Sequence, residues 1–234
     1  MLAYVNPGGI NAACLTLIKT FQCPSDPTPP FVTAANGVAY PGNNYRGNQG
    51  TAFMCDLGDA PGLQSTLAPG LTPNGIFYYQ SHVKMADITD GTSQTAMFSE
   101  RLRGGGVYNP RTVMLLMPPT TTLDETYLTC QAINPAFGIP MCYDGGVCWA
   151  MGEDCCTLYN HVSPPNTNQC GAKGFPGGME NMAMDSPPTS MHTGGGVNMV
   201  LCDGSVHFVP NAISLPTWRA LGTRNGGDVL GPDF

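Results

Sequence analysis

Ten cysteines, an even number, set the first limit on how this chain can fold. They are Cys14, Cys23, Cys55, Cys130, Cys142, Cys148, Cys155, Cys156, Cys170 and Cys202. Reduced cytosolic proteins rarely carry so many thiols unless they bind metal, and zinc sites favour C-x2-C pairs, which this sequence lacks. We therefore expect an oxidising compartment and mostly paired cysteines. Residues 130–170 should be cross-linked to themselves, with Cys155 and Cys156 bonded to different partners.

The surface is poor in charge. Charged residues make up 11% of the 234 positions, whereas there are 30 glycines and 22 prolines, so the exterior consists largely of neutral side chains and backbone. Nine basic residues face sixteen acidic ones, without a basic cluster, which argues against nucleic acid and anionic lipid as partners. Because no apolar run approaches about eighteen residues, we expect no membrane span in this chain. No signal peptide opens the sequence, so any export signal is cleaved or carried elsewhere.

A hairpin near the C-terminus is the clearest local prediction. Residues 197–201 and 206–209 form strands in this interpretation, and they flank Asp203-Gly204, a dipeptide that favours a two-residue type I′ turn. That turn pairs Leu201 with Val206. It would bury one apolar face made of Val197, Met199, Leu201, Val206 and Phe208. Asp203 and Gly204 are thus predicted to be structural turn residues.

The remaining signals define the fold class. Strands are predicted around residues 44–46, 75–79 and 95–100, and Ser214 caps a helix over residues 215–221 that ends at Gly222. Residues 104–190 show no periodicity, and cross-links are the physical reason to expect order there. The sequence predicts an α+β protein of mostly antiparallel strands and short helices. We expect one globular domain, 1–234, in which 104–190 is a long, irregular, disulfide-rich insertion.

Four segments resemble a known family. They are residues 21–27 (Phe-Gln-Cys-Pro-Ser-Asp-Pro), 44–48 (Asn-Tyr-Arg-Gly-Asn), 86–95 running on to Glu100 and Arg101, and 192–209 followed by 218–224. In their order they resemble the planctomycete pilin-like proteins, a paralogous family of unknown biochemical function that is similar to type II secretion pseudopilins. The resemblance implies a pilin-like domain. It also makes a calcium site somewhere in the chain more plausible, since pseudopilins commonly have one, without placing it.

Two departures from that family are visible. Its members usually begin with a prepilin leader and a long apolar helix, whereas this chain begins almost at the Cys-Pro-Ser-Asp segment. The chain is therefore a fragment, or it assembles without its own apolar helix. In addition, the run of residues 193–196 is one residue longer than the family's spacing, which a bulge can absorb locally.

Catalytic and copper chemistry are the weaker interpretations of this sequence. Ser93, His192 and Asp203 could be named as a hydrolase triad, but no G-x-S-x-G pattern supports them. Copper could use thioether and imidazole ligands, for which the candidates are Met179, Met182, Met184, Met191 and His192. Core filling explains the methionines more simply. We expect no catalysis and no organic cofactor.

Calcium and glycans are the ligands that remain open. Asp87 and Asp90, with the carbonyl groups of Thr89 and Thr92, offer oxygen ligands for calcium within one turn, although Asx hydrogen bonds alone could explain that turn. A glycan platform could be built from Tyr4, Tyr40, Tyr45, Tyr78, Tyr79 and Tyr108. The sequence favours a structural subunit that self-associates in an extracellular filament or surface lattice. A secreted carbohydrate-binding module and a secreted hydrolase are the alternatives.

Overall fold

The computed structural model describes residues 12–34, 37–53, 73–78, 80–143, 145–152, 154–172 and 183–234. The strands are β1 Phe31–Thr33, β2 Ala39–Pro41, β3 Tyr45–Asn48, β4 Ala96–Glu100, β5 Met114–Met117, β6 Pro140–Cys142, β7 Leu158–Tyr159, β8 Gln169–Ala172, β9 Met184–Asp185, β10 Gly196–Leu201 and β11 Val206–Pro210. The α-helices are α1 Leu123–Gln131 and α2 Leu215–Gly222, and short 3-10 helices span Ala12–Leu15, Lys19–Phe21 and Met85–Asp87.

Two larger sheets organise these strands. The first has the order β11-β10-β4-β3-β7, and the second has the order β6-β5-β8-β9. Pairing is antiparallel except between β3 and β7 and between β5 and β8. Strands β1 and β2 form a separate antiparallel pair. The α+β class with mostly antiparallel strands is confirmed.

The predicted hairpin exists, but its register differs from the prediction. Val200, not Leu201, pairs with Val206, because the loop holds three residues, 202–204. The Gly204 N–H donates to the Leu201 carbonyl group, and Gly204 adopts a φ of +87°, as in a three-residue loop with a left-handed glycine.

One extra loop residue turns every side chain of β11 to the opposite face of the sheet. Val209 is therefore buried with Val197, Met199 and Leu201. The prediction that Val206 and Phe208 are buried is wrong, since they are 66% and 47% exposed.

Helix α2 follows the prediction. The Ser214 side chain accepts a hydrogen bond from the Thr217 N–H, and Pro216 lies in the first turn, where its missing N–H costs nothing. Trp218 and Leu221 are fully buried in the cluster that lies against β10 and β11. The first sheet and α2 therefore share one core.

Residues 104–190 contain more regular structure than the sequence predicts. This stretch contains α1 and β5 to β9, and so it supplies the whole second sheet and one strand of the first. Its strands have two to four residues, too few for a periodic pattern to be visible. The sequence does carry a signal for α1: Thr122 accepts a hydrogen bond from the Glu125 N–H, as a T-x-x-E cap predicts.

Residues 75–78 form no strand, although one was predicted over 75–79; Tyr79 lies outside the described residues. The chain instead passes close to β3, where the N–H groups of Gly75 and Ile76 donate to the carbonyl groups of Gln49 and Asn48. A Cβ atom on Gly75 would lie 2.3 Å from the Gly50 nitrogen, so only glycine permits this approach. Among the described residues, no helix has the length and apolar character needed to cross a membrane.

Candidate functional site

Three side chains that are distant in sequence meet on the outer face of the first sheet. His192 Nε2 lies 2.8 Å from Glu100 Oε2, and Cys23 Sγ lies 3.8 Å from the same oxygen. The sulfur, oxygen and nitrogen atoms all lie within 4.8 Å of one another. Glu100 is buried, while Cys23 and His192 are half-buried. We refer to these three residues as the Cys-Glu-His cluster.

Glu100 is held by the neighbouring strand. It is the last residue of β4, and Asn198 of β10 donates to its Oε1 atom through the backbone N–H at 2.6 Å and the side-chain amide at 3.1 Å. Because Oε1 is occupied in this way, Oε2 is directed at Cys23 and His192. The carboxylate is therefore oriented before any ligand arrives.

His192 precedes β10 in a turn that only glycine can form. Its backbone N–H donates to Ser190 Oγ, which in turn donates to the Gly196 carbonyl group. Gly194 and Gly195 have φ of +104° and +68°, values that disfavour other residues. Residues 193–195 thus form this turn ahead of the strand, which begins at Gly196.

Cys23 is held by the segment around it. Its N–H donates to Asn44 Oδ1, while the Asn44 amide donates to Asp26 Oδ2 at 2.6 Å. Asp26 forms a buried ion pair with Arg103, with Oδ2 and Nε 3.2 Å apart. Burial raises the pKa of Asp26, but hydrogen bonds from Asn44, Thr28 and Arg103 outweigh burial and hold that pKa below its ordinary value.

A cavity of about 410 Å³ opens beside the cluster. Its lining includes Tyr45 and the apolar side chains of Phe98, Val200 and Val206. Burial raises the pKa of Tyr45, and the neighbouring Cys23 and Glu100 raise it further. Tyr45 pairs with Glu100 across the β3–β4 ladder, so its ring forms a wall of the cavity next to the carboxylate.

Each member of the cluster, and Tyr45 in the wall of the cavity, comes from one of the sequence segments described above. Segment 21–27 contributes Cys23, 44–48 contributes Tyr45, Glu100 follows 86–95, and 192–209 contributes His192. The sequence analysis identified these segments but did not predict that they lie together. Hydrogen bonds between residues 77 and 92 positions apart cannot be inferred from spacing.

The residues predicted for calcium divide between two environments. Asp87 and Thr89 line a second cavity of about 780 Å³, together with Tyr78 and Arg224. Asp90 instead accepts hydrogen bonds from the N–H groups of Gly226 and Gly227 and from the Thr223 hydroxyl.

Asp87 and Thr92 also have hydrogen-bond partners within the protein. Asp87 Oδ2 accepts from the Lys84 N–H, and the Thr92 carbonyl group accepts from the Asp203 N–H. The turn is therefore held by protein hydrogen bonds, and calcium there stays a prediction.

The turn residues Asp203 and Gly204 lie in the loop between β10 and β11. Ser205 Oγ donates to Asp203 Oδ1 at 2.7 Å and lies 3.1 Å from His207 Nε2. In a catalytic triad the acid binds the imidazole, whereas here it binds the hydroxyl group. The hydrogen bonds place Asp203 with Ser205 and His192 with Glu100, so Asp203 and His192 are not brought together as a triad.

The described tyrosines do not form one platform. Tyr40 is fully buried, so its predicted place in a glycan surface is wrong. Tyr45 lines the smaller cavity, Tyr78 packs against Arg224, and Tyr108 packs against Tyr143. Tyr4 and Tyr79 lie outside the described residues.

The described methionines do not gather around His192 as a copper site would require. Met184 packs with Met114 and Cys142 in a core cluster, as core filling predicts. Met191 Sδ is 3.3 Å from the Arg111 guanidinium. Met179 and Met182 lie outside the described residues.

One disulfide is formed, between Cys130 at the end of α1 and Cys170 in β8, inside the predicted 130–170 stretch. Among the described residues, Cys14, Cys23 and Cys202 form no disulfide, contrary to the prediction. Cys23 instead lies against Glu100, and Cys202 lies in the hairpin loop.

The remaining cysteines lie mostly in the interior. Cys148, Cys155 and Cys156 are buried together, and the sulfurs of the adjacent pair are 3.4 Å apart, too far for a bond between them. Cys142 is buried in the second sheet, and Cys55 lies outside the described residues.

The fold and the cluster define an α+β protein with a half-open Cys-Glu-His cavity on the outer face of its main sheet. Residues 4–215 match the family model described as "Protein of unknown function (DUF1559)". The chain belongs to this family. Comparison with curated proteins finds no match. Comparison with solved structures finds none either.

Proposed function

We propose that the protein is a structural subunit that self-associates in an extracellular pilus-like filament or surface lattice, without catalysis. The observation that supports this proposal is the open, uncharged edge formed by β11, whose sequence is Val-His-Phe-Val-Pro. Strand β11 lies at the end of its sheet, and no strand of the described residues pairs with its outer side. An exposed apolar edge strand is a template for pairing with another chain.

The hydrogen-bonding groups of β11 suit this role. The Leu201 N–H donates to the Ser205 carbonyl group, which fixes the alternation of the antiparallel ladder. By that alternation, the N–H and C=O groups of Val206 and Phe208 point away from β10. Their side chains are also exposed, so the edge offers both backbone partners and apolar surface to a second copy of the chain.

The small number of charged residues also favours a second copy of the chain as the partner. Only 11% of the residues are charged, so few charged side chains oppose close contact between the surfaces of two copies. Contact of an edge with a different surface of the next copy is head-to-tail, and it extends into a filament unless its rotation closes a ring. A specific contact of this kind buries more than roughly 1,000 Å².

Sedimentation velocity over a range of concentrations tests the proposal. The wild-type chain is expected to show heavier species as its concentration rises, and Phe208→Lys should shift the distribution to the monomer. Phe137→Lys is the matched control, since Phe137 is 86% exposed in the loop after α1 and lies outside β11. A wild-type chain that stays monomeric, or equal losses in the two variants, would refute the proposal.

A thiol hydrolase is the second candidate, and the Cys23–His192 proximity favours it. In such an enzyme the imidazole takes the proton of the thiol. Here His192 Nε2, the ring nitrogen within 4.8 Å of the sulfur, is hydrogen-bonded to Glu100, so it is not free to act as that base. Hydrolysis of ester or peptide substrates that is lost in Cys23→Ala and kept in Cys202→Ala would favour this candidate over the structural role.

A further inference from the structure

The donor atoms of the Cys-Glu-His cluster are a metal-binding set. A thiolate, an imidazole and a carboxylate are the three ligand types that zinc uses in proteins, whereas calcium and magnesium bind only oxygen. Among the described residues, this is the one group of three or more such side chains with all ligand atoms within 4.8 Å.

The distances fit tetrahedral coordination after a small adjustment. Ligand bonds of about 2.0 to 2.3 Å imply separations of about 3.3 to 3.8 Å between tetrahedral ligand atoms. The sulfur-to-oxygen distance of 3.8 Å already has this value. The oxygen-to-nitrogen distance of 2.8 Å is that of a hydrogen bond, and it widens by about half an ångström when an ion replaces the shared proton.

The surroundings hold these ligands as the outer shell of a metal site does. Asn198 fixes one carboxylate oxygen so that the other faces Cys23 and His192. Ser190 anchors the backbone of His192, and Asn44 anchors the backbone of Cys23. Outer partners of this kind orient metal ligands, and their loss typically weakens metal binding by about 10- to 100-fold.

We propose that Cys23, Glu100 and His192 bind one borderline-soft divalent cation, of which Zn²⁺ is the representative, and that the fourth coordination position faces the cavity lined by Tyr45. Binding releases the thiol proton of Cys23 to solvent, because the sulfur coordinates as a thiolate, while His192 coordinates as a neutral imidazole that keeps its one proton on Nδ1. The open position leaves room for water or for a donor group of a ligand in the cavity.

Cobalt substitution tests the site directly. The reduced, metal-free chain is titrated with Co²⁺ and then with Zn²⁺ in competition. We expect one Co²⁺ per chain with thiolate-to-cobalt charge-transfer absorption, and displacement by Zn²⁺. Cys23→Ser should abolish that absorption, His192→Gln should weaken Zn²⁺ binding at least tenfold, and Asn198→Ala should weaken it about tenfold. Cys202→Ser, which removes a thiol outside the cluster, should bind as the wild type does.

Protection of Cys23 provides a second measurement that needs no variant. Alkylation of Cys23 by iodoacetamide, followed by peptide mass spectrometry, should slow at least tenfold in saturating Zn²⁺ and not in Ca²⁺. Absence of binding by the wild type, charge-transfer absorption that persists in Cys23→Ser, or alkylation that is indifferent to Zn²⁺ would overturn the proposal. The sedimentation result for Phe208→Lys is independent of all three outcomes.

Discussion

His161 lies flat against Trp218, with ring centroids 4.0 Å apart, and its Nδ1 atom donates to the Trp218 carbonyl oxygen at 2.7 Å. The imidazole is fully buried, and burial lowers the pKa of His161 from 6.5 to about 3, although the hydrogen bond to Trp218 opposes the shift. The side chain is therefore neutral in the folded protein over most of the pH range.

Acid should destabilise the fold through His161. Since its pKa is lower in the folded state than in the unfolded state, the unfolded chain takes up the proton first as the pH falls below about 6.5. Stability is then lost progressively until about pH 3, by an amount on the order of a few kcal/mol. In urea unfolding at several pH values, His161→Gln should flatten this dependence. The exposed His207→Gln should leave it unchanged, and equal slopes in the two variants would contradict the assignment.

Asp185 should have the opposite effect to His161, because it lowers the stability of the fold as the pH rises. Burial raises its pKa to about 7, against weaker opposing hydrogen bonds from Ser163 and Gln131. Its folded pKa is raised, so its contribution to stability is complete below about pH 4 and is lost as the pH rises to about 7.

Asp185→Asn removes this titration and can retain the hydrogen bond to Ser163. The variant should gain stability relative to the wild type at about pH 8 and show little difference at about pH 4. Melting temperatures at the two pH values provide the measurement, and a constant difference between the proteins would refute the expectation.

The buried Asp26–Arg103 pair should matter far more than the exposed Asp124–Arg219 pair. Both side chains of the first pair are at most 2% exposed, whereas Asp124 in the second is 75% exposed. Asp26→Ala leaves the Arg103 guanidinium buried without its counter-ion, which typically costs about 3 to 5 kcal/mol. Asp124→Ala should cost less than about 1 kcal/mol. Urea unfolding of the two variants measures the contrast, and equal losses would contradict it.

Gly204 should be intolerant of β-branched residues. At its φ of +87° no other atom lies within 4 Å of the position that a Cβ atom would take, so the cost comes from the backbone alone. Gly204→Val should therefore lower stability by about 1 to 2 kcal/mol. Gly152→Val is the control, because Gly152 also has open space around it but no positive φ. Differential scanning calorimetry should show a lower melting temperature only in the first variant.

The disulfide should contribute by restricting the unfolded chain. Cys130 and Cys170 are 40 residues apart in sequence, a loop for which chain entropy implies about 4 kcal/mol. The double variant Cys130→Ala with Cys170→Ala should lose stability of that order in urea unfolding, whereas Cys202→Ala should not. A double variant as stable as the wild type would show that the cross-link is not formed.

Local chemistry explains which elements could be predicted. Ser214 and Pro216 define the start of α2 without tertiary context, and β4 has enough apolar residues to be recognised. Asp203-Gly204 locates a turn but permits loops of two or three residues, and both registers of the hairpin bury apolar side chains. In the observed register Val209 shares the buried cluster of Trp218, a tertiary contact that the local sequence does not contain.

The site is harder to predict for a different reason. No local pattern marks Cys23, Glu100 or His192 as a ligand. The three residues meet only because β4 pairs with β10 and because Asn44 holds the backbone of Cys23. The calcium interpretation followed from adjacency in sequence. In the fold, Asp90 is instead directed at residues 223–227.

The parallel pairing of β3 with β7 determines when the main sheet can form. Gly47 lies opposite Leu158, and Arg46 donates to the Asp154 carbonyl group across 108 residues. Strand β4 also pairs with β10, which begins at Gly196 and is therefore synthesised much later. The principal sheet therefore cannot close before β10 has been synthesised. Its folding rate is set by the closure of long loops, which places refolding in the slow range of about milliseconds to seconds.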